Sequence, residues 1–258
     1  MTDPVVAFFD GIADDYDQVL PFFGCFARQI AEAIEIPPHA QVLDLGAGRG
    51  ALSAEFAGRA GRIAAVDGSP RMVELLNRDL PAVEAHVMDA ARLDFPDAEF
   101  DLVVAGFVVH ILTDPRAAVT EVKRVLKPGG QFALTVPGRA DGTPDPWTDP
   151  VTDLFAEYRK YQAAGSGRHS KYVAEDEVLR AAGFTELTAR TLEIAIPAPD
   201  GETYWRFTTS HGAGMFINGL PADKRAEFRD RLIAAVDAAG EITLRRSATL
   251  WVARRPRS

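Results

Sequence analysis

A short apolar run that passes directly into three closely spaced glycines is the feature that most restricts how this chain folds. The run Gln41–Leu45 (QVLDL) is followed at once by Gly46–Gly50 (GAGRG). Glycine adopts backbone conformations that other residues resist, so the chain can turn sharply here between a strand and a helix. We predict a strand, a glycine loop and a helix that continues to about Gly58. Backbone N–H groups at the start of that helix would let a ligand approach closely.

Strands and helices are predicted to alternate from this point to residue 137. Further apolar runs predict strands at 62–67, 83–88, 100–105 and 132–136, with helices at 70–80 and 117–126. This alternation is typical of an α/β fold with a parallel sheet and right-handed crossovers. After residue 137 the alternation of strands and helices becomes irregular. We predict a loop at 138–150, helices near 150–164 and 174–182, and strands near 186–196 and 242–253.

Charge and composition exclude several classes of protein. The formal net charge is −9, which argues against nucleic-acid binding because that function needs a basic surface. Cys25 is the single cysteine, and no Cys/His cluster has zinc spacing, so we expect neither a disulfide nor a metal site. No basic leader and no apolar run of about 20 residues is present. We therefore expect a cytoplasmic protein with no membrane partner.

Acidic residues mark the ends of three predicted strands: Asp44, Asp67 and Asp89. Ligands of open α/β sheets bind outside the carboxyl ends of the strands, so the three carboxylates would face one pocket. They disfavour a pyrophosphate and attract a ligand that carries an ammonium and a sulfonium. The relaxed pattern Gly46-x-Gly48-x-x-Ala51 leaves a nicotinamide-dependent oxidoreductase open as an alternative, although the chain has no Tyr-x-x-x-Lys pair.

Five stretches, in order, resemble the class I S-adenosylmethionine-dependent methyltransferases. The resemblance is strongest to the ubiquinone/menaquinone-type branch, which also contains many small-molecule methyltransferases. The stretches are an N-terminal element at Ile12–Asp17, the glycine motif at Val42–Gly50, an acidic-loop motif at Ala65–Met72, the fourth strand at Phe100–Val104 and a helix-to-strand turn at Arg124–Gly130.

The resemblance implies a Rossmann-like, seven-stranded, mostly parallel sheet whose last strand is antiparallel, with helices on both faces. It also implies S-adenosylmethionine as cofactor. Asp67 would hold the ribose hydroxyls, and Asp44 would help to hold the ammonium, directly or through water. The other residues that the resemblance places around the cofactor are Tyr16, Gly46, Ala47, Gly48, Gly68, Met72, Met88, Asp89, Ala90 and Ala105.

Two histidines are candidates for a catalytic general base, because a neutral imidazole accepts a proton near neutral pH. His110 follows the fourth strand, and His211 lies in the segment 197–240 between the last two strands. That segment is too long for a hairpin and is rich in aromatic residues, which predicts a helical lid over an apolar or aromatic acceptor. The alternatives are a structural role for His110 and a helical pair packed on the sheet edge or on another subunit.

We therefore predict a methyltransferase acting on a small apolar or aromatic metabolite, by O-methylation and in secondary metabolism, with carbon and nitrogen as alternative acceptors. A protein of the same fold that binds the cofactor but catalyses a cyclisation or isomerisation is a further alternative. The partner is a small molecule, and the chain is a monomer or homodimer. It forms one domain, 1–258, divided into an N-terminal helical cap (1–36), a cofactor-binding core (37–137), the second half of the sheet (138–196), a lid insertion (197–240), and the last strand with a tail (241–258).

Overall fold

The computed structural model describes residues 3–146, 150–162, 175–240 and 242–257. The helices in these ranges are α1 Pro4–Ile12, α2 Phe22–Ala33, α3 Ala51–Phe56, α4 Pro70–Asp79, α5 Pro115–Val125, α6 Thr152–Tyr158, α7 Glu175–Ala181, α8 Gly201–Thr209, α9 Ala213–Asn218 and α10 Ala222–Ala239. The strands are β1 Gln41–Leu45, β2 Arg62–Asp67, β3 Glu84–Val87, β4 Phe100–Gly106, β5 Leu126–Pro137, β6 Thr185–Ala198 and β7 Ile242–Arg254.

The seven strands form one sheet in the order β3-β2-β1-β4-β5-β7-β6. Neighbouring strands from β3 to β5 pair in parallel, and β1 lies between β2 and β4, with Leu43 opposite Ala64 and Val103. Strand β7 runs antiparallel to both β5 and β6. The predicted seven-stranded sheet with an antiparallel last strand is confirmed.

Each face of the sheet is covered by its own hydrophobic core. Because side chains alternate along a strand, Val42 points into the core formed with α2, α3, α6 and α8–α10. Leu43 points into the opposite core, which contains residues of α5 and α7. Both side chains are fully buried, and each burial of this kind contributes about 1.5–3 kcal/mol. The first core adjoins the site described below.

Most element boundaries agree with the predictions, and two differ clearly. Strand β5 begins at Leu126 rather than near residue 132, because Gly129 N–H donates to the Arg255 carbonyl and Arg255 N–H donates to the Gly130 carbonyl. The predicted helix-to-strand turn at Arg124–Gly130 is present as an irregularity at the start of β5, because pairing with β4 passes from Leu126 opposite Phe100 directly to Gln131 opposite Leu102. The predicted N-terminal helical cap consists of two helices, of which α1 ends at Ile12 and α2 begins at Phe22. Residues 147–149 and 163–174, which include parts of the predicted 138–150 loop and of two predicted helices, lie outside the described residues.

The segment between β6 and β7 is helical, as predicted, and contains α8, α9 and α10. Its buried residues belong to the same core as α2 and β6. None of the helices in the described ranges combines the length and apolar character needed to cross a membrane.

Candidate functional site

The glycine loop has the left-handed backbone that its sequence predicts. The φ angles of Gly46, Gly48 and Gly50 are 65°, 54° and 85°. A Cβ atom added to Gly46 would lie 2.3 Å from Cγ2 of Val108, so the chain that follows β4 packs directly on the loop. A Cβ on Gly50 would lie 2.8 Å from Cδ1 of Leu80. The loop therefore needs glycine for both its conformation and its close packing.

A cavity of about 310 Å³ opens between the glycine loop and helix α2. This volume is at the lower end of the range of about 300–1,000 Å³ that small-molecule sites occupy. Its wall includes four of the predicted cofactor residues, which are Tyr16, Asp44, Gly46 and Ala47. Aromatic residues of α2 and the charged side chains of Asp17, Arg49 and Asp79 also line it.

Asp44 is a buried carboxylate in the wall of this cavity. It lies near the end of β1, and its side chain is 1% exposed. Ser53, in the first turn of α3, donates both its backbone N–H (3.0 Å) and its hydroxyl (2.7 Å) to Oδ2 of Asp44. Burial raises the pKa of Asp44 to about 6, against the lowering effect of these two hydrogen bonds. The site thus keeps a carboxylate in apolar surroundings, which favours a cationic ligand.

Asp67 ends β2 and lies behind the glycine loop. One carboxylate oxygen accepts a hydrogen bond from Gly48 N–H at 2.8 Å, and the other accepts one from Ser69 N–H at 2.8 Å. Burial is the main cause that raises the pKa of this carboxyl group. Each oxygen keeps a further lone pair, so the carboxylate can still accept hydrogen bonds from two hydroxyls. This geometry is compatible with the expected ribose contact.

Helix α1 packs on the acidic loop that follows Asp67. Asp10 accepts hydrogen bonds from the Ser69 hydroxyl (2.6 Å) and from Arg71 N–H (2.9 Å). Gly68 makes this contact possible, because a Cβ at that position would lie 2.8 Å from Cγ2 of Val6. The N-terminal cap is thereby joined to the strand end that carries the acidic residue.

Met72 is 1% exposed and lies in a small cluster with Ala13 and Leu75, against which Phe9 and Tyr16 pack. In this structure its side chain is therefore part of the contact between α4 and the N-terminal cap.

Aromatic rings form a continuous wall beside the cavity. Tyr16 stacks on Phe23 with ring centroids 4.8 Å apart, and its ring lies over Gly48, where an added Cβ would be 3.4 Å away. Phe107 contacts Phe23 and Phe26 at 5.6 and 5.0 Å. The wall therefore extends from the glycine loop to the end of β4.

Phe107 has a φ of 59°, an uncommon conformation for a bulky residue. Its backbone N–H donates to both the carbonyl and the hydroxyl of Thr135 on the neighbouring strand β5, each at 3.1 Å. Phe107 and Gly106 both line the cavity. Strained backbone of this kind is often kept at functional sites, where surrounding contacts fix it.

The remaining predicted cofactor residues lie at two other strand ends. Met88 follows β3 and donates its N–H to the Asp67 carbonyl at 3.1 Å, which places 88–90 beside the acidic loop. Asp89 is exposed, and Ala90 is partly buried. Ala105 is 1% exposed and its side chain belongs to the opposite core, because side chains alternate along β4. Gly106 therefore faces the cavity where Ala105 does not.

The two candidate histidines are both held neutral by burial, which lowers the pKa of each to about 4. His110 lies in a single 3-10 turn, Val109–Ile111, and its Nδ1 is buried with no hydrogen-bond partner among the described residues. His211 lies between α8 and α9, and its Nδ1 contacts the Phe207 carbonyl oxygen. Because that carbonyl is an acceptor, Nδ1 carries the proton and Nε2 carries the lone pair.

The aromatic wall connects His211 to the cavity. Its ring lies 4.0 Å from the ring of Phe207 and 5.7 Å from that of Phe22. Phe22 in turn lies 6.1 Å from Phe107, which lines the cavity. The structure thus brings the insertion 197–240, helix α2 and the end of β4 together on one side of the site.

Sequence reasoning missed four residues of this site: Asp17, Arg49, Ser53 and Phe107. Burial raises the pKa of Asp17 to about 6, and its carboxylate accepts hydrogen bonds from Phe23 N–H and Gly24 N–H. Arg49 contacts the Asp14 carbonyl and Asp79, both at 2.9 Å. Asp17 lies in the N-terminal element Ile12–Asp17 and Arg49 lies in the glycine motif Val42–Gly50, so these motifs could have indicated both residues as part of the site. Ser53 and Phe107 gave no such signal.

The residues present fit S-adenosylmethionine, the cofactor that the resemblance implies. The buried Asp44 carboxylate suits an ammonium, and the glycine loop leaves the cavity wall free of side chains where a ligand would lie on the backbone. The two oxygens of Asp67 suit a pair of hydroxyls. Within the described ranges, no group of three His, Cys, Asp or Glu side chains is placed to hold a metal ion.

Comparisons with known proteins show the family and the fold of the chain. Residues 43–134 match a family model described as a methyltransferase domain. Nocamycin O-methyltransferase from Saccharothrix syringae is 29% identical, over 91% of this chain and 92% of that protein. Demethylmenaquinone methyltransferase from Mycolicibacterium vanbaalenii is 31% identical, over 72% of this chain and 83% of that protein. The crystal structure of the YcgJ protein from Bacillus subtilis, 22% identical, covers 90% of this chain and 98% of its own with a TM-score of 0.58, which supports the fold.

Proposed function

The chain belongs to the class I S-adenosylmethionine-dependent methyltransferases, and we propose that it O-methylates a small apolar or aromatic metabolite of secondary metabolism. The observation that carries the acceptor proposal is His211, a neutral imidazole beside Phe207 whose Nδ1 contacts the Phe207 carbonyl oxygen, so that Nε2 is the nitrogen that carries the lone pair. The likeness to nocamycin O-methyltransferase across nine-tenths of both chains supports oxygen as the methylated atom.

Bound S-adenosylmethionine supplies a methyl group activated by a sulfonium. In our proposal Asp44 holds the ammonium and Asp67 holds the ribose hydroxyls. The backbone of Gly46, Ala47 and Gly48 supports the methionine part, and Tyr16 covers it. Asp44 is buried and Asp67 is partly buried, so water screens their contacts to a cationic ligand less than it would at the surface.

The adenine end is assigned to residues 88–90, and Gly68 and Met72 act through the acidic loop. Met88 N–H is bonded to the Asp67 carbonyl, so the segment 88–90 is fixed relative to the ribose-binding acid. Met72 supports the same loop from within the cluster of Ala13 and Leu75. Ala105 contributes its backbone, because its side chain points to the opposite core.

The acceptor is proposed to lie between the aromatic wall and His211. Rings such as Phe22 and Phe107 would hold a flat apolar molecule and exclude water, which favours in-line methyl transfer by fixing the acceptor atom. Because the pKa of His211 is lowered to about 4, its imidazole is neutral at pH 7 but is a weak base. It therefore gives little driving force for removing the proton of the acceptor hydroxyl before methyl transfer begins. The hydroxyl proton therefore moves to Nε2 as the methyl bond forms.

His110 is proposed as a second polar contact for the acceptor. Its Nδ1 is a buried atom that lacks a partner among the described residues, and such an atom is costly unless a ligand pairs with it. The turn that carries it begins next to Val108, which packs on Gly46. The helices α8–α10, which correspond to the insertion 197–240, would then act as the lid that completes the acceptor side.

The test is to incubate the protein with S-adenosylmethionine and a panel of phenolic and polyketide-like acceptors, and to detect S-adenosylhomocysteine together with methylated product by mass spectrometry. Each acceptor is paired with an analogue whose hydroxyl is already a methyl ether. Methylation of the free hydroxyl alone supports the proposal. Methylation of both members of a pair would show transfer to carbon or nitrogen and would refute O-methylation.

His211→Ala is expected to lower turnover by at least about tenfold and by no more than the roughly 10⁴-fold at the top of the range that a positioned base supplies. The affinity for S-adenosylhomocysteine should stay near that of the unchanged protein, because His211 contacts Phe22 and Phe207 rather than the glycine loop. Turnover and calorimetric titration measure the two quantities. Loss of cofactor affinity equal to the loss of turnover would make His211 a structural residue.

A further inference from the structure

Ser53 makes two hydrogen bonds that have no role in the proposed mechanism. Its side chain is fully buried, and it donates two hydrogen bonds to the same oxygen of Asp44. Both hydrogen bonds that the structure gives to this carboxylate within the described residues end on Oδ2. The other oxygen, Oδ1, accepts no hydrogen bond from the described residues, and Asp44 lines the cavity.

We propose that Ser53 is a positioning residue for cofactor binding, whose hydroxyl keeps Asp44 ionised and its Oδ1 directed at the ammonium of the incoming cofactor. This inference rests on the proposed role of Asp44. The hydroxyl bond of 2.7 Å is within the range of hydrogen bonds from a hydroxyl to a carboxylate. A donor that bonds the ionised form of a carboxyl stabilises that form, so Ser53 opposes the effect of burial.

The acidic residues around Asp44 oppose its ionisation, so a hydrogen-bond donor is needed to stabilise the ionised form. Asp67, on the neighbouring strand β2, is an acid that raises the pKa of Asp44 further. Asp17 lies in the same cavity wall before α2, and Asp79 lies there at the end of α4. Arg49 is the cation among these cavity residues, and its guanidinium contacts Asp79. Ser53 is the residue whose hydrogen bonds lower the pKa of Asp44.

The experiment measures the dissociation constant of S-adenosylhomocysteine by calorimetry from pH 5.5 to pH 8. If only the ionised Asp44 binds well, affinity falls as pH drops through the pKa of this group, which lies at about 6. Ser53→Ala should move the midpoint of this fall up by about one pH unit. Binding should then be about threefold weaker than in the unchanged protein at pH 6.5 and equal to it at pH 8.

Three further variants make the result specific. Ser53→Cys keeps a weak donor and should give an intermediate midpoint, and it replaces Ser53→Ala if that variant does not fold. Ser247→Ala is the matched control, because Ser247 is another buried serine whose hydroxyl donates to an aspartate, Asp145, and it lies on β7. Its midpoint should not move. Asp44→Asn should bind weakly with no Asp44-dependent fall, and it also records the titration of the ligand itself.

The outcomes separate this inference from the function on which it rests. If Asp44→Asn binds as well as the unchanged protein, the proposed role of Asp44 is wrong. If Asp44→Asn binds weakly but Ser53→Ala gives the unchanged midpoint, or is weakened equally at every pH, Ser53 is only structural and the inference is overturned. A raised midpoint in Ser53→Ala, with none in Ser247→Ala, supports it.

Discussion

Replacing Asp44 with asparagine is expected to make the ligand-free protein more stable at neutral pH. Burial raises the pKa of this carboxyl from 3.8 to about 6. A group whose pKa is raised on folding stabilises the protein fully below the unfolded value, and that stability is lost as pH rises through the folded value. The difference corresponds to about 3 kcal/mol at pH 8. Asparagine keeps an acceptor for Ser53 without the buried charge.

The amide nitrogen of the new side chain offsets part of this gain, so we expect an increase of about 1–3 kcal/mol in the free energy of unfolding at pH 8. For a domain of this size, each kcal/mol raises Tm by about 2–4 °C. At pH 5, protonation of Asp44 makes the free energy of unfolding of the unchanged protein about 1.4 kcal/mol larger than at pH 8. The stability advantage of Asp44→Asn should therefore be smaller by that amount at pH 5.

Urea unfolding at pH 8 and pH 5, with the cofactor removed, measures both numbers. Asp230→Asn is the control, because Asp230 is an aspartate on α10 whose side chain is 79% exposed, and its removal should change little at either pH. The argument that burial of this charge destabilises the folded protein would be refuted if Asp44→Asn were less stable than the unchanged protein at pH 8. It would also be refuted if the substitution changed the free energy of unfolding equally at both pH values.

Two further predictions concern the glycine loop and the acidic loop. Gly46→Ala should lower the free energy of unfolding by about 3 kcal/mol or more, because its Cβ would meet Val108 at 2.3 Å. Gly142→Ala is the control, because Gly142 has a φ of 72° but an added Cβ would have no atom within 4 Å. This variant should lose only about 1 kcal/mol in the free energy of unfolding, from its backbone conformation. Equal losses for the two variants in denaturant titrations would contradict the steric argument. Asp67→Asn should weaken S-adenosylhomocysteine binding more than about tenfold in calorimetry, because charged hydrogen bonds to the ribose are lost. An unchanged dissociation constant would remove the assignment of Asp67.

The sequence predicted the parts of the site that depend on short-range patterns. The strand Gln41–Leu45, the glycine loop and the acids at strand ends follow from apolar runs and from the conformational needs of glycine. The orientation of Ala105 away from the cavity also follows from the alternation of side chains along β4, and could have been predicted. These features need no knowledge of distant contacts.

Other parts of the site depend on contacts that no local pattern records. The left-handed backbone of Phe107 is held by Thr135, which lies 28 residues further along the chain on a neighbouring strand. The bond from Ser53 to Asp44 spans a loop whose turn geometry decides whether the two side chains meet. Similarly, β5 begins early because its backbone pairs with Arg255, far away in the sequence. Long-range pairing decided the conformation of Phe107 and the start of β5, and the geometry of the intervening loop decided the contact between Ser53 and Asp44.

The place of β7 in the sheet sets the order in which the protein can be completed during synthesis. Strand β6 is joined to the sheet through β7, which lies between it and β5, yet β7 is made after β6 and after the whole of α8–α10. The N-terminal part of a chain leaves the ribosome first and is available for pairing before the rest is made. The parallel strands β1–β5 can therefore pair first, while β6 waits with an open edge. Until β7 is made, β6 and the outer edge of β5 both present unpaired backbone groups, which are the kind of edge to which other chains can pair.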